Sequence, residues 1–252
     1  MEKEKDRFDE PVDKLPFLEA SHRPEEFQKE PGDFLILFKG NSITAHGFSR
    51  ESVEKLGWDH LSGMAASSAE RDYVHLFSGL VQQTMPGRRV RILIGQGGRP
   101  GLVLSHLEPE RRLDPDLVIV QNGEHCAHVP LLDEFRRDHP LLLNTLKELY
   151  PRARIFSVGV WNPRCREEFI EAAGADYAAS ARQIEEIQRC SAAAAGIPFV
   201  PVSGFENDPA NSGSGKVAPV RWHPNDNGMR CYAEALFNAF LDHRSVRSSR
   251  PQ

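Results

Sequence analysis

Five short apolar runs punctuate the chain: 33–39 (DFLILFK), 90–94 (VRILI), 117–121 (LVIVQ), 155–160 and 198–202. Each is nearly continuous in hydrophobic residues and is bounded by Gly, Pro or charge, the pattern of strands buried on both faces. Longer stretches between them repeat at helical spacing. Residues 69–84 place Tyr73, Phe77, Leu80 and Val81 three or four apart, and 131–150 is periodic up to Pro151. Segments 167–173, 178–194 and 227–243 complete the helical set. Strand and helix in alternation mean βαβ units. The predicted fold is α/β: a three-layer α/β/α sandwich around a parallel sheet of about five strands. Functional side chains then belong in the loops past the carboxyl ends of those strands.

The ends of the chain depart from this pattern. Residues 1–30 are polar and carry Pro11, Pro16 and Pro24, which predicts an irregular or disordered arm. The expected division is arm 1–30, one domain 31–243, and a tail 244–252. The chain's 252 residues suit one large domain. No apolar run reaches 18 residues, so no membrane span is expected. MEKEKDRFDE has no apolar core of a signal peptide, which makes a cytoplasmic location the expectation. The net charge is −5; the first 30 residues hold 10 acids and 6 bases, leaving a body with 26 acids and 25 bases. Bulk charge therefore offers nothing to a nucleic-acid partner. Cys126, Cys165, Cys190 and Cys231 form no CxxC pair, and free thiols are expected.

Chemistry enters at the exit of the first run, Gly40-Asn41-Ser42-Ile43-Thr44. A serine two positions after glycine, at the end of a buried strand, projects a hydroxyl above the sheet edge. Backbone N–H groups of a following helical turn would point into the same space; a helix cap is the plainer reading of the same residues. A serine nucleophile needs a base, and His223 lies in the loop before the last helix, followed by Pro224-Asn225-Asp226-Asn227.

GNSIT at 40–44 and HPNDNGM at 223–229 resemble blocks I and V of the SGNH subgroup of GDSL hydrolases. Gly57-Trp58 and the stretch 63–76 (GMAASSAERDYVHL) are similar to the segment after GNSIT in a bacterial branch of that family, and 116–125 (DLVIVQNGEH) falls where block III belongs. The resemblance spans about residues 33–243. It implies a flavodoxin-like fold and serine hydrolysis of a small acyl ester, often an acetyl group on a carbohydrate. It implies Ser42 as nucleophile and His223 as base, with no cofactor and no metal.

Three positions depart from the family pattern. Many members have an aspartate three residues before the block V histidine; here that residue is Val220. A main-chain carbonyl of Val220 or a near neighbour is one substitute, and Asp226 or Asp208 reaching through space is another, although Asp226 also suits a helix cap. Block III should supply an asparagine amide to the oxyanion, and the matching residues are Gly123-Glu124-His125. His125 is then the candidate donor, since Asn122 lies on the other side of the glycine. Block II should supply a glycine N–H, and Gly97 in Gly95-Gln96-Gly97-Gly98 is the candidate. The oxyanion hole is thus expected from Ser42, Gly97 and His125.

Rival readings rest on other residues. His125, Cys126 and His128 form an HCxH cluster that admits a zinc-dependent hydrolase, against which stands the absence of an HExxH pattern. The glycines at 95–98 lack the GK[ST] of a phosphate loop. His46 is placed to touch substrate, and Trp58 and Trp222 offer faces for a sugar ring, although aromatics commonly pack instead. The departures at 220 and 125 also admit a ligand-binding protein that kept the fold and lost turnover.

Overall fold

The computed structural model describes residues 17–47, 49–128, 131–174 and 176–248. Six strands form one sheet among them: β1 (Ala20–Ser21), β2 (Phe34–Lys39), β3 (Val90–Ile94), β4 (Leu117–Gln121), β5 (Arg154–Val158) and β6 (Phe199–Val200). Their order is β1-β3-β2-β4-β5-β6, and every pairing is parallel. Strands β2 to β6 alone give the flavodoxin order, in which the first two crossovers run in opposite directions and open a crevice beside β2. The expected count of about five is corrected to six. The extra strand is Ala20–Ser21, which pairs with Ile92 and Leu93 at the free edge of β3. Two small residues in a polar stretch carry no hydrophobic signature, so only the exposed ladder of β3 reveals them.

The helices α1 (Tyr73–Gln83), α2 (Pro100–Ser105), α4 (Leu132–Leu149), α5 (Glu167–Ala173), α6 (Tyr177–Ala195), α7 (Ala218–Arg221) and α8 (Asp226–Ser248) surround the sheet together with the short α3 (Glu124–His128). Strand β2 is buried at all six positions. Its alternate side chains go to opposite layers, as the pleat requires. Phe34, Ile36 and Phe38 meet Tyr73 and Phe77 of α1 and Leu236, Phe237 and Phe240 of α8. Leu35 and Leu37 meet Val103 of α2 and Leu142, Leu143 and Leu146 of α4. At roughly 1.5–3 kcal/mol for each large apolar side chain buried, these two layers supply the main stabilising term.

Asp72 sets the start of α1. Its carboxylate accepts the His75 N–H at 2.8 Å, so the predicted helix 69–84 divides into a 3-10 turn, Ala69–Arg71, and the helix proper. At the polar amino-terminal stretch, Phe27 is buried against the α2–α4 layer. Among the described residues, no helix is long and apolar enough to cross a membrane.

Candidate active site

Register brings three loops to one place. Phe38 of β2 is level with Ile94 of β3, and Lys39 is level with Val120 of β4. The turn from Gly40, the loop from Gly95 and the segment from Asn122 therefore leave the sheet side by side. The turn is tight because residue 40 has no side chain: a Cβ there would lie 1.8 Å from Thr44 Oγ1. Thr44 N and Ala45 N both donate to Asn41 O at 2.9 Å, and Ile43 N donates to Asn41 Oδ1 at 3.0 Å. Ser42 sits on this single helical turn, half-buried, with its carbonyl accepting Met64 N–H at 2.8 Å. Ala65, directly after Met64, has φ 71°, a left-handed conformation that is costly for a residue with a Cβ.

His223 comes to Ser42 from the other end of the chain. It follows α7, and Ser212 and Pro224 bridge the two strands of chain that hold it. Its Nε2 lies 2.8 Å from Ser42 Oγ, and its Nδ1 lies 2.7 Å from Pro219 O. A carbonyl only accepts, so Nδ1 carries the proton and donates to it. Nε2 is then the acceptor for the Ser42 O–H. The orienting group is thus the main-chain carbonyl of a near neighbour of Val220. Neither aspartate takes that position: Asp226 accepts from Ser67 N and Oγ at 2.6 and 2.7 Å, and Asp208 caps the turn at Pro209–Asn211. The start of α8 is capped by Asn225, whose Oδ1 accepts from Asn227 N and Gly228 N.

The Gly95 loop packs directly on the turn that carries Ser42. Gly97 packs on the turn so closely that a Cβ would meet Gly40 O at 1.6 Å, and Gly98 N donates to Gly40 O at 3.0 Å. Among the described residues, neither Ser42 N–H nor Gly97 N–H makes a hydrogen bond. At the end of β4, Asn122 is buried and both polar atoms of its side chain are without a partner. Such an amide costs about 1–3 kcal/mol unless a ligand uses it. His125 lies three residues further on, solvent-exposed on α3. Asn122 thus lies one residue before the glycine, buried, and His125 two residues after it, exposed. The signal is in the sequence, because Asn122 is the polar residue directly following the LVIVQ run.

A buried carboxylate ties the loops together. Glu124 accepts from Trp161 N at 2.8 Å, from Gln121 Nε2 at 3.0 Å and from Asn41 Nδ2. Gln121 Oε1 in turn accepts from Asn41 N and Thr44 Oγ1, and Thr44 Oγ1 contacts Tyr73 OH at 2.6 Å. Desolvation pushes the Glu124 carboxyl up to about 7, although its donors pull the other way. Sequence reasoning misses Glu124 because two of its three partners, Asn41 and Trp161, are distant in the chain.

The remaining candidates divide. His46 is buried, with its Nδ1–H on Gly47 O at 2.9 Å and its ring beside those of Trp58 and His60; burial holds its pKa below the usual value. Trp58 is half-buried, edge-on to His60 at 4.6 Å, and borders a cavity of about 350 Å³ with Ser67, Ser214 and Asn225. Trp222 is packed into the core, edge-on to Tyr177 and to the His223 ring. Cys126 is buried on α3, which pushes its thiol up to about 12, while its neighbour His125 faces solvent; the His128 side chain lies outside the described residues. No group of three ligating side chains suited to a metal ion occurs among the described residues, and the four cysteines are free.

Comparison with known proteins agrees with this architecture. Residues 38–231 match the model of the GDSL-like lipase/acylhydrolase family. No curated protein sequence matches the chain. The fold is similar to that of an acetyl xylan esterase, AlAXEase, at TM-score 0.53 and 18% identity over 82% of this chain and 99% of that one. It is similar to a lipase/acylhydrolase from Enterococcus faecalis at TM-score 0.59 and 13% identity, over 83% and 96%. It is also similar to an extracellular lipase from Streptomyces rimosus at TM-score 0.53 and 19% identity, over 82% and 99%.

Proposed function

The chain belongs to the GDSL-like lipase/acylhydrolase family and is an ester hydrolase; we propose that it cleaves small acyl esters through a Ser42–His223 dyad. The observation that carries this reading is the 2.8 Å contact from Ser42 Oγ to a His223 whose other nitrogen is held by Pro219 O. Nε2 takes the proton as Ser42 Oγ attacks the ester carbonyl. The resulting oxyanion is met by the N–H groups of Ser42 and Gly97 and by the Asn122 amide, in place of His125. His223 then returns the proton to the leaving alcohol. Water, deprotonated by the same imidazole, releases the acid from the acyl-serine.

Pro219 O does the part of the missing aspartate that concerns geometry, fixing the tautomer and the ring. It contributes a dipole rather than a full charge to the transient imidazolium. Likeness to an acetyl xylan esterase supports an acetyl group. The indole of Trp58, with Ser67, Ser214 and Asn225 around the adjoining cavity, supports a sugar or similar polyol as the alcohol.

The test is hydrolysis of p-nitrophenyl acetate by the purified protein. Wild type should turn over, and Ser42→Ala should lose about 10³-fold or more of kcat while keeping its circular dichroism spectrum. Equal rates for the two proteins would refute the dyad. A folded wild type with no turnover on acetyl esters would favour a ligand-binding role for the same fold.

A further inference from the structure

Beneath the Gly95–Gly98 loop lies an ion pair closed to solvent. Lys39 ends β2, and Glu110 ends the 3-10 turn Glu108–Glu110; their side chains are 0% and 1% exposed and pair through Nζ and Oε2. The layer around Lys39 is otherwise apolar, with Leu35 and Leu37 on the same face of the strand. A buried ion pair is a poor way to fill such a layer, since apolar residues of similar volume do as well or better. Its contacts say what it is for. Glu110 Oε1 accepts Gln96 N–H at 2.9 Å, and Lys39 Nζ donates to Gln96 O at 3.4 Å. One residue of the loop is thereby held at both its N–H and its carbonyl.

The flanking residues are tied to β2 and its turn. Gly95 N donates to Phe38 O at 3.0 Å, and Gly98 N donates to Gly40 O at 3.0 Å. From Gly95 to Gly98, three of four backbone N–H groups are thus engaged, and the one left over belongs to Gly97. The loop also borders an open cavity of about 360 Å³, edged by His22, His106 and Glu110 itself. The ion pair is thus the anchor of Gln96, and charge-assisted bonds are the stiff kind.

We propose that Lys39 and Glu110 are positioning residues for the oxyanion hole: their ion pair fixes Gln96 and so aims the Gly97 N–H at the space beside Ser42. The inference rests on the reading of Ser42 as nucleophile. Neither residue touches substrate. Their effect is on how well one donor is aimed at charge that develops only in the transition state, so it belongs in kcat.

Two double variants and one control test this on p-nitrophenyl acetate. Lys39→Met with Glu110→Leu removes both charges without stranding either one. It should stay folded and lose about 10- to 100-fold in kcat, with KM within about 2-fold. Lys39→Met with Glu110→Gln keeps an acceptor for Gln96 N–H and should recover to within about 5-fold of wild type. Arg91→Met, which removes the Arg91–Asp33 pair at the other end of the sheet, should leave kcat unchanged. Amide hydrogen exchange supplies a readout independent of turnover: Gln96 and Gly97 should exchange faster in the leucine variant while β2 and β4 stay protected. Wild-type kcat in a folded leucine variant would overturn the proposal, as would a loss that the glutamine variant does not rescue. If wild type shows no esterase activity, the nucleophile reading fails on its own. The anchoring then stands or falls with exchange at Gln96 and Gly97, and unchanged exchange refutes it.

Discussion

The two ends of the same parallel sheet treat polar groups in opposite ways. At the amino end, Asp116 accepts from Leu35 N at 2.8 Å and pairs with Lys29 at 2.8 Å and Arg88 at 3.3 Å. Arg91 pairs with Asp33 at 3.1 Å, and Arg152 with Asp114 at 2.7 Å. Apart from Asp33, which is buried, these partners reach solvent, and exposed pairs of this kind are worth little. At the carboxyl end, Lys39, Glu110 and Glu124 are buried, Ala65 is strained, and the Asn122 amide is left without a partner. The apolar strands are alike at both ends, so strand chemistry does not account for the contrast. One end is closed mostly by weak surface pairs. The other keeps costly buried polarity, and that cost is the mark of a site shaped for a ligand.

The sharpest way to break the comparison is to remove a group that only the carboxyl end needs. His223→Ala should lower kcat by about 10³-fold or more with little change in Tm, measured on p-nitrophenyl acetate and by thermal denaturation. A large drop in Tm with modest loss of kcat would make His223 a structural residue. Asn122→Ala should cost about 10²-fold in kcat without loss of stability, because an unpaired buried amide disappears. His125→Ala should stay within about 3-fold of wild type. The opposite ranking of these two variants would return the donor role to His125.

Proton linkage distinguishes the ends more gently. The folded chain holds a proton on Glu124 up to about pH 7, whereas the unfolded chain releases it near 4.5. The native state thus binds more protons between these values, and stability should fall as pH rises through that window and level off above it. Glu206, pushed up to about 7 by burial, adds to the same slope. Tm measured from pH 4.5 to 7.5 should decline by several degrees in wild type, and by less in Glu124→Gln. That variant also turns an amide N–H toward Asn41 Nδ2, so its kcat should fall as the turn shifts. A Tm flat across the window would mean that Glu124 titrates normally. The smallest effect belongs to the amino end: Arg152→Ala, breaking an exposed pair, should leave both kcat and Tm unchanged within error.

Much of this is legible in residue order. The runs 90–94 and 117–121 coincide with β3 and β4, and 167–173 coincides with α5, because period and composition act locally. Ala20–Ser21 is not legible, because an edge strand is made by its neighbour's free ladder. The Gly40–Ser42 turn and His223 can be paired only through resemblance to a family, since 181 positions separate them. The orienting carbonyl of Pro219 has no side-chain signature at all. Asn122 and His125 are both visible in the sequence, but only the packed strand end shows that the first is buried without a side-chain partner and the second exposed.

Residue order alone is enough for the layered α/β architecture and for the two loops that carry Ser42 and His223. Apolar periodicity and turn glycines act over a few residues, and one chain suffices to read them. Which polar groups are paired is settled by packing. The Lys39–Glu110 bond, the Glu124 network and the unpartnered Asn122 amide depend on strands and loops distant in sequence being brought level. Whether a buried charge or amide is stabilising, neutral or held ready for a ligand is set by the partners within hydrogen-bond reach, and those are a property of the packed molecule.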